Sequence, residues 1–155
     1  MRLDHILKME FLNDDLQART KTEVLAELSE MIVNGFPKLD QSKIIDVLQQ
    51  REKLGSTGIG DGVAIPHGKI GALEEVAVAF GRSKNGVAFD SMDGKPVYLF
   101  FLLLAPEDCA SQHLKALAKI SKMLKAGNFR KDLMEAKSKA ELYEIIIQQD
   151  EACPA

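Results

Sequence analysis

The stretch VYLFFLLLA at residues 97–105 constrains this chain more than any other: nine consecutive residues with no charge, no glycine and no proline. A strand with one wet face alternates apolar and polar residues, so a run apolar at every position marks a strand covered on both faces. A membrane-spanning helix needs about 20 such residues, roughly twice what is present. The chain is therefore expected to build a sheet around this strand, with helices on both sides, and to enter no membrane.

Helical periodicity supplies the covering layers. Thr20 and Glu23 have the spacing of a capping box, Val24, Leu25, Leu28, Met31 and Ile32 follow at helical intervals, and Gly35 supplies a stop. A second helix is expected from Asp40, burying Ile44, Ile45, Val47 and Leu48 and running through Arg51, Glu52 and Lys53 to Gly55. Beyond the central strand, Ser111 is the expected N-cap of a third helix with Leu114, Leu117, Ile120 and Leu124 inward, ending at Gly127. Two shorter helices are expected over residues 129–135 and 138–148, with Ser138 and Glu141 repeating the capping-box spacing. Further strands are expected at residues 63–65 and 76–82, with Asn85-Gly86 and Asp93-Gly94 as turns around a short strand near Val87. This order predicts an α/β fold, a single domain over residues 1–155 with a mixed β-sheet sandwiched by helices, and a disordered tail over about 150–155.

The balance of charges excludes some functions. With 155 residues, 46% of them hydrophobic, the chain can bury one core, and a net charge of −3 leaves no basic excess for a nucleic-acid backbone. Cys109 and Cys153 form no CxxC pair, so neither a disulfide framework nor a zinc ribbon is expected. The first ten residues, MRLDHILKME, lack the apolar core of a secretory signal, and a cytoplasmic protein is expected.

Three histidines limit the chemistry that an imidazole could do here. His5 lies in the first turn and reads as a surface residue. His67 follows Pro66 and precedes Gly68, at the end of GSTGIGDGVAIPHG, a segment with five glycines in fourteen residues. Its side chain is expected to be presented from a loop at a strand's end, where α/β folds place their sites. His113 is expected in the first turn of the third helix, where the positive end of the helix dipole favours a neutral ring and a bound anion; packing on the helix face is the alternative. Arg51 would supply a permanent, forked cation, although in the run REK it also reads as a solvated helix end. Rival motifs fail on spacing. Pro66 stands where a dinucleotide-binding helix should begin, and Ile70 stands where a nucleotide-binding loop needs Ser or Thr. Cys109 and His113, with or without His67, lack the further ligands of a zinc site.

REKLGSTGIGDGVAIPHG, residues 51–68, resembles the phosphorylation-site motif of the fructose, mannitol and nitrogen-regulatory enzyme IIA family of the bacterial phosphotransferase system. PVYLFFLLLAPEDCASQHLKALAKIS, residues 96–121, resembles that family's central strand and the helix with its second active-site histidine. The resemblance implies that His67 accepts a phosphoryl group, that His113 and Arg51 support it, and that Ser56, Thr57 and Asp61 belong to the phosphate site. Asp61 would orient an oxygen or tune a neighbouring imidazole. The implied donor is an HPr- or NPr-type phosphohistidine carrier, with no cofactor and no metal. LGSTGIGDG and HLKALAKIS look closer to the nitrogen-type pattern, which implies regulatory target proteins as partners. Passage of phosphate to the cysteine of a IIB protein is the sugar-transport alternative, and a protein-binding module without phosphate is the alternative of another class.

Overall fold

The computed structural model describes residues 2–153. Its centre is the expected apolar strand, here β6, Val97–Pro106, buried at every residue but Tyr98. β5, Ala77–Val87, runs antiparallel along one side of it, from Ala77 opposite Leu104 to Arg82 opposite Leu99. Along the other side lie two short strands in tandem, both parallel to β6: β3, Val63–Ala64, with Val63 opposite Leu99, and β4, His67–Ile70, with His67 opposite Leu103. β1, Leu12–Asn13, pairs in parallel with β5, and β2, Gly58–Gly60, pairs antiparallel with β3, which completes a mixed sheet.

β3 and β4 are one extended run broken at Ile65-Pro66. Proline has no N–H to give to a ladder, so pairing lapses there and resumes at the next residue. Two expectations need correcting. His67 is the first residue of a strand, not part of a loop beyond one. Asn85-Gly86 is not a hairpin turn: it lies inside β5, where the register shifts between Arg82 and Val87 and Gly86 takes a φ of +85°. Asp93-Gly94 does turn, with Gly94 N–H donating to the Ser91 carbonyl at 2.9 Å.

Five helices cover the sheet. α1, Lys21–Gly35, opens with the expected capping box, Thr20 and Glu23 each accepting from the other's backbone N–H. α2, Gln41–Lys53, is capped by the Asp40 carboxylate on Ser42 N–H. α1 packs on α2 and β5, and α2 packs on β4 so closely that a Cβ at Gly68 would stand 2.5 Å from Val47 Cγ1. That close approach brings the end of α2 over the beginning of β4. α3, Ala110–Met123, lies along β6, α4, Gly127–Glu135, sits on β5 and β6, and α5, Lys139–Ala152, packs on α4 and β1.

Two helix expectations also change. α3 starts one residue before the proposed cap, with Cys109 as N-cap and Ser111 helical. Its inner face is rotated: His113, Ala116, Lys119, Ile120 and Met123 are buried, while Leu114 is 66% exposed. The supposed tail from residue 150 is the last turn of α5. Asp150 is buried, accepts a hydrogen bond from Leu3 N–H at 2.8 Å and pairs with Lys119 Nζ at 2.5 Å, so residues 150–152 are held to α3 and to the amino-terminal turn. Residues 154 and 155 of the expected tail lie outside the described residues.

Candidate functional site

The break at Pro66 shapes the His67 side chain. Its Nδ1 lies 2.8 Å from the Ile65 carbonyl, two residues back across the break. A carbonyl can only accept, so Nδ1 carries the ring proton and Nε2 holds the lone pair. The opposite side of the ring agrees: Arg51 Nε–H, from the last turn of α2, donates to Nε2 at 3.3 Å. Arg51 is itself aimed by a second bond, from Nη1 to the Gly55 carbonyl at 2.9 Å. The His67 pKa is lowered from its ordinary 6.5, chiefly by burial and further by the Arg51 charge, with the Ile65 carbonyl and the Glu52 carboxylate pulling the other way. The surroundings favour the neutral ring, with the Nε2 lone pair facing Arg51.

His113 reaches the same place from α3. Its ring stands edge-on to that of His67, 77° between planes and 5.4 Å between centroids. It is 6% exposed, and among the described residues its Nδ1 has no hydrogen-bond partner. Burial lowers its pKa most, with the charges of His67 and Lys69 adding to the effect. Two neutral imidazoles and one guanidinium therefore share one spot, where an anion would meet a cation and an N–H donor in low dielectric.

The remaining expected residues are placed differently. Thr57 is buried, but it bonds the Glu52 carboxylate through both its N–H and its hydroxyl, and its own carbonyl accepts from Ile65 N–H at 3.1 Å. Ser56 donates to the Phe89 carbonyl at 2.7 Å and accepts from Gly58 N–H, which fastens the loop to the segment after β5. Asp61 is not brought to the imidazoles. It sits at the exposed tip of the β2–β3 hairpin with φ +57°, its N–H donating to Asp93 Oδ2. Gly62 beside it pairs near Tyr98 on β6 while His67 pairs with Leu103, a separation of five residues or roughly 16 Å along a strand. Asp61 answers to turn geometry: its short polar side chain tolerates the left-handed backbone between two glycines.

Glu52 was missed. In sequence it is the middle of a charged run and reads as solvated, yet it is 8% exposed, with Lys21 Nζ 3.0 Å from its Oε1. The helical pattern did carry a signal: Glu52 follows Ile44 and Leu48 at intervals of four, on the buried face of α2, although the groups that partner its carboxylate come from α1 and from the loop after α2. His5, by contrast, lies at the exposed amino-terminal turn beside Asp4, as expected. Among the described residues, no group of three or more His, Cys, Asp or Glu side chains could hold a metal ion, and no helix is long and apolar enough to cross a membrane.

Comparison with known proteins shows the family. Residues 5–149 match the family model for the phosphoenolpyruvate-dependent sugar phosphotransferase system, EIIA 2. A nitrogen regulatory protein of Bradyrhizobium diazoefficiens is 38% identical over 146 residues, covering 94% of this chain and 95% of that protein. The fructose-specific EIIABC component of Bacillus subtilis is 35% identical over 97% of this chain, which spans only 24% of that longer protein. Among solved structures, the nitrogen regulatory protein IIA-Ntr of Neisseria meningitidis superposes with a TM-score of 0.87 at 35% identity, covering 93% of this chain and 98% of that one. The mannitol IIA of Escherichia coli shares the fold, with a TM-score of 0.75 at 22% identity over 90% of this chain and 97% of that one. With the family model covering nearly its whole length and relatives above 30% identity matching end to end, the chain belongs to the EIIA 2 family of the phosphoenolpyruvate-dependent sugar phosphotransferase system.

Proposed function

We propose that Nε2 of His67 accepts a phosphoryl group from the phosphohistidine of an HPr- or NPr-type carrier, and that this chain works as a nitrogen-type regulatory enzyme IIA in the cytoplasm. The observation that carries the reading is the double definition of one ring: Nδ1–H held by the Ile65 carbonyl and the Nε2 lone pair facing Arg51. In the transfer, the bond from phosphorus to the carrier's nitrogen breaks, its electron pair stays on that nitrogen, and the Nε2 lone pair forms the new bond. The proton on Nδ1 stays where Ile65 holds it. Arg51 moves from the lone pair to the phosphoryl oxygens, and His113 offers an N–H to the same charge. Donor and acceptor are both phosphorylated imidazoles, so the exchange is close to thermoneutral and positioning supplies most of the acceleration.

The regulatory branch is supported by the nitrogen regulatory relatives, which this chain matches over nearly their full length. Phosphorylation sets a phosphoryl group of nearly two negative charges beside a ring that keeps its Nδ1 proton, a net change of about one negative charge at the docking face, which favours one protein partner and disfavours another. The fructose-specific relatives support the transport alternative, in which phosphate passes to a IIB cysteine. Incubation with enzyme I, an HPr-type carrier and labelled phosphoenolpyruvate tests the reading. Label appears on the wild type and not on His67→Ala; equal labelling of the two contradicts the assignment. Rapid onward passage of label to a sugar-specific IIB protein would place the chain in transport.

A further inference from the structure

Behind the imidazole lies a second polar cluster. Glu52 accepts from Thr57 N–H through Oε1, at 3.1 Å, and from the Thr57 hydroxyl through Oε2, while Lys21 Nζ pairs with Oε1 at 3.0 Å. Lys21 also lies over the Phe89 ring, 4.8 Å from its centroid. Both members of the pair stand where a helix dipole disfavours them: Lys21 is the first residue of α1, at its positive end, and Glu52 is in the last turn of α2, at its negative end. Neither helix gains from the placement, and a buried ion pair is weak evidence for stability in any case.

The cluster is better explained by what it fixes. On one side, the Thr57 carbonyl accepts from Ile65 N–H at 3.1 Å, and the Ile65 carbonyl takes the proton of His67 Nδ1. On the other, the Glu52 backbone carbonyl accepts from Gly55 N–H at 3.1 Å, and the Gly55 carbonyl aims Arg51 through Nη1. Glu52 thus closes the loop of residues 54–57 twice, once through its main chain and once through its carboxylate. Both groups that define the His67 ring hang from that loop.

We propose that Glu52 is a positioning residue of this site: by clamping Thr57 it sets the Ile65 carbonyl and the 54–57 loop. His67 is thereby held with its proton on Nδ1, its lone pair on Nε2 and Arg51 aimed at that lone pair. Lys21, from α1, holds the carboxylate from its other side, Nζ to Oε1 at 3.0 Å. The charged and titratable groups facing the imidazole are Arg51 and Glu52 from α2 and His113 from α3, with Lys69 of β4 beside His113; Lys21 of α1 faces the carboxylate, with Asp90 3.8 Å from Lys21. The consequence for phosphotransfer rests on the reading of His67 as acceptor, whereas the geometry does not.

The test reads the ring directly. In ¹⁵N-histidine-labelled protein without any phosphoryl donor, long-range nitrogen–proton couplings report the His67 tautomer. The wild type shows the Nδ1–H form; Glu52→Gln and Thr57→Ala show mixed tautomers, and Thr57→Ser, which keeps the hydroxyl, recovers the wild-type pattern. Transfer from phosphorylated carrier slows by about tenfold to a hundredfold in Glu52→Gln and Thr57→Ala, and Thr57→Ser restores most of the rate. A folded Glu52→Gln protein with wild-type tautomer and wild-type rate overturns the proposal. If Glu52→Gln does not fold, the two Thr57 variants decide, and identical tautomer populations in them overturn it. Absence of label on every variant, wild type included, would sink the phosphoryl reading while the tautomer comparison still judged Glu52.

Discussion

At the scale of single residues, the site is a problem of proton placement. His67 and His113 both hold a proton more weakly than an ordinary histidine, burial being the main cause for each. The neutral rings are therefore favoured by folding. Their contribution to stability is complete above pH 6.5 and is lost as the pH falls through the lowered native values, because the unfolded chain then binds protons that the native chain resists. Single-turnover transfer to His67 should be flat from neutral pH upward and fall on acidification, with its midpoint below 6.5; a midpoint above 6.5 would contradict the neutral-nucleophile account. Much of this was legible in IPHG and the arginine ahead of the glycines. Glu52 was legible only in part: it continues the face of α2 that holds Ile44 and Leu48, at the same interval of four, but its partners Lys21 and Thr57 come from other segments. Asp61 was carried by resemblance to a place the strand register does not allow.

At the scale of elements, local chemistry set the ends and tertiary contacts set the faces. The capping of α1 by Thr20 and of α5 by Ser138 follows from spacing alone, since one side-chain oxygen three residues before a free N–H is a local matter. The inner face of α3 does not. Counting apolar residues put Leu114 inside, whereas His113 turns in toward His67 and Lys119 toward Asp150, and these two polar partners outweigh one leucine. The rotation makes a prediction for thermal or denaturant unfolding. Leu114→Lys should change stability by less than about 0.5 kcal/mol, while Ile120→Ala should cost about 2–5 kcal/mol. Comparable losses from both would restore the simpler helical pattern. The Asn85-Gly86 pair failed as a turn for a related reason: β6 offers β5 a partner on both sides of the bulge, so the strand continues to Val87.

At the scale of the whole molecule, one strand organises everything, and its apolar run was the clearest sign of the fold. β6 carries the tandem strands that present His67 and supports the helix that presents His113. The two chain ends are fastened to that same helix through Asp150, which joins Leu3 and Lys119. Replacing it with alanine removes a buried charge from its pair and an acceptor from a backbone N–H, and should cost about 3–5 kcal/mol in chemical denaturation; a loss under 1 kcal/mol would show that the ends are not held there. The central claim, that one nitrogen of one histidine is prepared for a phosphoryl group, is tested by identifying that nitrogen. ¹⁵N–³¹P coupling in the phosphorylated, ¹⁵N-histidine-labelled protein should place phosphorus on Nε2 of His67 with a proton still on Nδ1. Phosphorus on Nδ1, or on His113 or His5, would contradict it.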